Sequence, residues 1–268
     1  MEKLRALYAY LRKKYDLLSV KKYNTLAGTL VFFLIMSIVP LSFWLSLFIG
    51  KLPIPSEQIL SLPVFESVKE VLFFVQTEAA SATRGASLIL LLTTLYSSTN
   101  LFYQMRKSGE LIYDFHPKRQ GLRLRLGALI LLIVVMATVV AFLLVFALGS
   151  FVFSKLLSKA WERLADYALL LAVAFLLVLL LNVYIRPYKA KMKAFLPGTI
   201  WTVLAWTVAI TGFSIYLKVG NLSRLYGALS TLIIFLLWLY VLMICFIVGV
   251  IFNSEKISRQ RRKKHKNL

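Results

Sequence analysis

Six apolar runs dominate the chain, set apart by shorter polar stretches. They cover about residues 26–49, 86–105, 126–153, 164–185, 194–217 and 225–252. A helix needs roughly 20 apolar residues to cross the hydrocarbon layer of a bilayer, and each run has that length. Within lipid a backbone N–H or C=O has no water to bond, so a spanning segment must close its own hydrogen bonds as a helix. The apolar/polar alternation of membrane β-barrel strands is missing. The pattern therefore predicts an all-α, polytopic membrane protein with six transmembrane helices.

Two further segments have a helical period without the length to span. In residues 4–18, Leu4, Leu7, Tyr8, Leu11, Tyr15 and Leu18 recur three or four apart, with Lys3, Arg5, Arg12 and Lys13 mostly off that stripe. This predicts a basic amphipathic helix, either lying in the membrane interface or packed against the underside of the bundle. Between the first two runs, residues 50–85 carry Pro53, Pro55 and Pro63, and then Val64, Phe65, Val68, Val71, Leu72 and Val75 at helical spacing. An amphipathic helix there either covers or lines the bundle mouth, or is a plain surface helix. The organisation expected is an N-terminal basic helix over 1–22, a transmembrane domain over 23–255 and a basic tail over 256–268.

Composition agrees with the pattern. Hydrophobic residues make up 60% of the 268 and the mean hydropathy is +0.78, above the 45–50% or so typical of soluble domains. Charge changes the picture more. Lys and Arg number 32 against 11 Asp and Glu, a net of +21. Such a balance suggests either nucleic-acid binding or a membrane protein with positive cytoplasmic loops. Position decides between them. The N-terminal stretch, the second–third and fourth–fifth connections and the tail together hold 24 of the 32 basic residues, and the other connections hold 8. Alternate loops are thus strongly basic, which predicts that both termini are cytoplasmic. A specific nucleic-acid partner is not expected. Cys245 is the only cysteine, so no intrachain disulfide can form. The N-terminus lacks the features of a cleavable signal peptide.

Candidate chemistry is sparse. The two histidines, His116 and His265, stand in no His-x-His or carboxylate cluster. Glu110, Asp114 and His116 are close in sequence, but ion pairing with Arg106, Lys107, Lys118 and Arg119 accounts for the acids. No catalytic residue, metal site or cofactor is expected, and the chain does not read as an enzyme. No ionisable residue falls near the centre of a run, where one would mark a proton or ion path.

Uncharged polar residues are more informative. Thr93, Ser97, Asn100 and Gln104 share one face of the second run. They either line a hydrated cavity or make interhelical hydrogen bonds. Ser37 and Pro40 predict a kink in the first run, since proline removes a helix hydrogen bond. Trp238 lies inside the sixth run rather than at an interface, suiting a cavity or a helix crossing. Ala205, Ala209 and Gly212 form a small-residue stripe that predicts close helix packing in the fifth run. At its start, Arg186, Lys189 and Lys193 are candidate ligands for an anionic lipid headgroup. The plainer reading of Arg186 is a positive-inside anchor.

The chain resembles the YihY/BrkB family of bacterial inner-membrane proteins. Three segments carry the resemblance: Ala27 to Pro40 with Phe32, Phe33 and Ser37; Tyr184-Ile185-Arg186-Pro187 with Phe195-Leu196-Pro197-Gly198; and Phe213 to Tyr216, Tyr226-Gly227, Leu237-Trp238-Leu239-Tyr240, Gly249 and Asn253. The resemblance implies a six-helix, multi-pass protein of the bacterial cytoplasmic membrane with both ends inside. The family's molecular activity is poorly defined, and a ribonuclease label attached to some members finds no matching residues here. The function expected is a transporter or flippase for lipids or other anionic amphiphiles. The alternative is a non-transporting envelope scaffold that binds lipids or proteins. Anionic membrane lipids are the expected partners, and homo-oligomerisation is compatible with the pattern.

Overall fold

A computed structural model describes residues 5, 12, 16–49, 84–115, 121–156, 159–187, 190–219 and 223–266. Among them the structure is all-helical, without a strand. Residues 5, 12 and 16–20 are helical, while the rest of the expected 4–18 helix, nearly all of segment 50–85, His116 and Lys189 lie outside the described residues.

Six long helices follow in chain order among the described residues: α1 (Tyr23–Ile49), α2 (Arg84–Ile112), α3 (Leu122–Leu156), α4 (Lys159–Ile185), α5 (Leu196–Val219) and α6 (Ser223–Lys266). A single 3-10 turn, Met192–Ala194, precedes α5. Among the described residues, four segments are long and apolar enough to cross a membrane: Leu122–Phe142, Tyr167–Ile185, Leu196–Tyr216 and Ile233–Ser258. In α1 the apolar stretch Tyr23–Ile38 is shorter. Helix α2 mixes its apolar residues with the hydroxyl-rich middle and with Arg106, Lys107 and Glu110 at its end. At 44 residues, α6 is about 66 Å long, roughly twice the hydrocarbon thickness. The basic tail thus continues the last span as helix as far as Lys266.

Large aliphatic side chains stand on the outside of these helices. Val208 is 72% exposed, and Leu204, Leu237, Ile130 and Ile233 are similarly bare. Soluble monomers rarely show apolar surface on this scale. Lipid is the solvent that makes it stable.

The chain divides into two compact units. The first comprises Met1–Phe32, Met105–Lys118 and Val178–Leu268, and the second Phe33–Gln104 and Arg119–Leu177. The first unit's core is built from Leu30, Ile112, Ile185, Phe195, Phe246 and Ile251, all nearly or fully enclosed. In the second, Leu101, Phe102, Ala128, Leu131 and Leu132 are buried together with Ser37, Ser98 and Thr99.

Helix packing in the first unit depends on glycine. A Cβ at Gly198 would overlap the carbonyl of Gly249 and the Asn253 amide, and one at Gly249 would overlap Thr202 and the Gly198 carbonyl. Helices α5 and α6 therefore touch backbone to backbone, as small residues permit. Gly109 of α2 meets the Ile185 carbonyl of α4 in the same way. The fifth run does pack closely, but Gly212 of the expected stripe is not where it does so. Among the described residues nothing lies within 4 Å of a Cβ placed on Gly212, which is exposed. Close approach occurs one helix end away, at Gly198.

The end of α2 is a Schellman cap with aspartate in the glycine position. Asp114 takes φ +50°, the Asp114 N–H donates to the Leu111 carbonyl and the Phe115 N–H to the Glu110 carbonyl. Aspartate tolerates this left-handed conformation better than most side chains. Its carboxylate pairs with Lys21, next to Lys22 at φ +51°. The Asp114 side chain is 78% exposed, so the pair is screened. Lys21→Ala should cost less than about 1 kcal/mol, fading as salt is raised. Thermal unfolding at low and high ionic strength measures this. A larger, salt-independent loss would mean that Lys21 acts through packing.

Candidate functional site

In the first unit a closed polar network joins α4, α5 and α6. Asn253 Nδ2 donates to Asn182 Oδ1 at 2.8 Å, and Asn253 Oδ1 accepts from the Gly198 N–H at 2.8 Å. Gly198 lies in the first turn of α5, where backbone N–H groups have no partner within the helix. Asn253 supplies that partner from α6. Asn182 Nδ2 also donates to the Val178 carbonyl at 2.9 Å and stands 3.4 Å from Thr199 Oγ1. Thr199 and Thr202 return their hydroxyls to the carbonyls of Phe195 and Gly198. Asn182, Thr199, Thr202 and Asn253 have no solvent exposure. Two asparagines in an apolar interior are stable only because their amides satisfy one another and the α5 start.

Two guanidiniums lie beside this network, each held by a backbone carbonyl. Arg106 Nη1 donates to the Tyr184 carbonyl at 2.7 Å. That oxygen is in the last turn of α4, where carbonyls lack helical partners and a cation is favoured. Arg186 Nη1 donates to the Ala190 carbonyl, and its Cζ lies 5.1 Å from the centre of the Phe195 ring. Burial pushes the Arg106 guanidinium below its ordinary value. Tyr184 and Glu110 oppose that shift, and the like charge of Arg186 adds to it. The two arginines therefore feel each other's field. Arginine keeps its proton through such a shift, so Arg106 remains a cation. Glu110 is buried and sits 3.9 Å from Lys107. Among the expected headgroup ligands, Arg186 is half-buried and Lys193 is exposed on the 3-10 turn.

Trp238 packs its ring against Phe213, 5.6 Å between centres, and against Phe235 at 6.1 Å. Its indole N–H is buried without an acceptor among the described residues. Trp206, in contrast, donates to the Leu242 carbonyl at 2.7 Å and ties α5 to α6.

The second unit holds the polar face of α2. Ser37 is fully buried and donates to the Ser97 carbonyl at 3.2 Å, joining α1 to α2. Pro40 is buried within α1. Ser98 and Thr99 bond back to the Thr94 and Tyr96 carbonyls of their own helix. Thr93 is exposed, and Ser97, Asn100 and Gln104 are half-buried. Asn100 Oδ1 accepts from Arg125 Nη1 at 2.6 Å, and the Tyr96 hydroxyl accepts from Arg125 Nη2 at 2.9 Å.

Sequence reasoning missed Asn182, Arg106 and Arg125 as site residues. Asn182 had a signal, as a lone amide within a run of leucines, valines and alanines. Arg125 had a weaker one in Tyr96, Asn100 and Tyr103, which fall at i, i+4 and i+7 and so share a helix face. Among the described residues no three His, Cys, Asp or Glu side chains group as metal ligands would.

Comparison with known proteins adds a lineage. The profile of the family described as Virulence factor BrkB matches residues 15–268. A Bacillus subtilis (strain 168) protein named "Putative ribonuclease-like protein YfkH" is 21% identical over 271 residues, covering 94% of this chain and 97% of its own. A "UPF0761 membrane protein" of Xanthomonas oryzae pv. oryzae is 32% identical over 117 residues, 41% of this chain and 27% of its own length. A relative from Xanthomonas axonopodis pv. citri has the same identity and coverage. No solved structure matches the chain.

Proposed function

The chain belongs to the Virulence factor BrkB family, and on that premise we propose that it is a six-span protein of the bacterial cytoplasmic membrane that moves anionic amphiphiles, lipids foremost, across the bilayer. Both termini face the cytoplasm in this reading, because the basic segments that hold 24 of the 32 Lys and Arg then share that side. The first apolar run and the hydroxyl-rich second run complete the six.

One observation carries the reading. Arg106 and Arg186 are partly buried, lie within each other's field and are held by carbonyl oxygens. Two like charges in a partly desolvated place repel, and a carbonyl neutralises neither. A phosphate between or beside them lowers the energy of both and accepts their remaining fork-shaped donors. The buried carboxylate of Glu110 sits 3.9 Å from the Lys107 ammonium and also offsets part of the charge on Arg106, but one carboxylate beside Arg106, Lys107 and Arg186 leaves the group net positive. The name of the Bacillus relative mentions a ribonuclease, but metal-dependent phosphodiester cleavage needs clustered ligands or paired carboxylates, and the sequence offers no such cluster.

Proteoliposomes carrying headgroup-labelled phosphatidylglycerol or phosphatidylcholine test the proposal. The labelled anionic lipid is expected to change leaflets faster than in protein-free vesicles and faster than the zwitterionic one. Arg186→Gln should slow it about tenfold, the worth of one charge-assisted hydrogen bond. Absence of movement above protein-free vesicles for several anionic headgroups would remove the transport reading and leave a non-transporting, lipid-binding scaffold.

A further inference from the structure

We infer that Arg125, caged by Tyr96, Tyr103 and Asn100, is a headgroup site for an anionic glycerophospholipid. The inference concerns the second unit alone and needs only that the chain sits in a bilayer. It stands whether or not lipid is moved.

The cage begins at the start of α3. The Arg125 Cζ lies 4.3 Å from the Tyr96 ring centre and 4.4 Å from that of Tyr103. Its two terminal nitrogens donate to Asn100 Oδ1 and to the Tyr96 hydroxyl. Every partner is neutral. Among the described residues, no carboxylate approaches Arg125, so the cation is positioned but not neutralised. A guanidinium has five N–H donors, and two are used here. Among the described residues the rest have no acceptor, and they can meet phosphate oxygens in a geometry already fixed by two rings and two hydrogen bonds.

The surroundings identify the ligand as amphiphilic. Leu122, Leu126 and Ile130 follow at four-residue spacing on α3 and are 83%, 56% and 61% exposed. On α2, Leu92 precedes Tyr96 by one turn, and both are exposed as well. Leu126 and Ile130 on α3 and Leu92 on α2 thus stand exposed within about two turns of the cage, further into the apolar runs, and acyl chains fit such surface. A free phosphate would gain nothing from it. A lone arginine that merely extends its head to water needs no such cage and discriminates little between headgroups.

Native mass spectrometry of the full chain in detergent tests this, with phosphatidylglycerol and phosphatidylcholine of identical acyl chains as probes. The wild type should retain one more phosphatidylglycerol than Arg125→Gln, with phosphatidylcholine retention equal in the two. Arg125→Lys should bind that lipid about tenfold more weakly, since a single ammonium replaces the planar fork. Millimolar inorganic phosphate should not displace the lipid. Equal phosphatidylglycerol counts in wild type and Arg125→Gln, or displacement by phosphate alone, would overturn the assignment. If Arg125→Gln does not fold, a photoactivatable phosphatidylglycerol on the wild type decides. Label concentrated in residues 92–103 and 122–130 supports the site, and label spread evenly over all apolar helices refutes it.

Discussion

Gly198→Ala is expected to dislocate α5 from α6, and Gly249→Ala to do the same from the other side. Each added methyl would occupy the space of the opposing backbone carbonyl, which has no flexible end to swing away. The helices would have to separate. Overpacking in a well-packed interior costs about 1–3 kcal/mol and more where backbone must move, so about 3 kcal/mol is expected for each. For a chain of this size that lowers the midpoint of thermal unfolding by about 10 °C. Gly212→Ala is the control on the same helix. Among the described residues nothing lies near its Cβ, and alanine is the better helix former by about 1 kcal/mol. Unfolding followed by size-exclusion in detergent measures all three. Comparable losses at Gly198 and Gly212 would show that α5 does not meet α6 where described.

Asn253→Leu is expected to cost nearly as much, for a different reason. The substitution keeps the volume but strands the Gly198 N–H and the Asn182 carbonyl oxygen, both otherwise paired at 2.8 Å. Interhelical hydrogen bonds in membranes average about 0.6 kcal/mol and reach about 1.7. A stranded buried polar group costs about 1–3 kcal/mol. Asn182 and Asn253 have no exposure, so the higher figures apply, and two stranded groups make about 2–4 kcal/mol. The double variant Asn182→Leu/Asn253→Leu should then lose less than the sum of the single losses, because one orphan is removed with its partner. Strict additivity would mean that the two amides do not act as a unit.

The helical class and helix positions were legible because lipid imposes a length. Long apolar runs between basic loops permit few other structures, and every described helix overlaps its predicted run. Helix ends were less legible. The helical tail from Lys256 to Lys266 has no apolar residue to pack except Ile257, which is buried. Its continuation as helix comes from propagation of an already formed span, with Arg, Lys and Gln as good helix formers. The end of α2 was hidden too, because its cap uses Asp114 where glycine is the usual signal.

The candidate site was half legible. Arg186 stood out as an arginine at a run's end, and Gly198, Gly249 and Asn253 as motif residues. What joins them is tertiary. Nothing in the spacing of Asn182 and Asn253, 71 residues apart, states that their amides meet. Gly212 misled for the same reason, since a small residue permits close packing without requiring a neighbour. Arg125 looked like one more positive charge on a cytoplasmic loop until α2 supplied two rings and two acceptors around it.

The most direct measurement of the central proposal follows one lipid through one protein. Labelled phosphatidylglycerol is placed in the inner leaflet of vesicles containing either the wild type or the folded Arg106→Gln/Arg186→Gln double variant, and its arrival in the outer leaflet is timed. Arrival well ahead of protein-free vesicles is expected for the wild type, and arrival near the protein-free rate for the double variant. A wild type no faster than empty vesicles, or a double variant as fast as the wild type, would contradict the proposal.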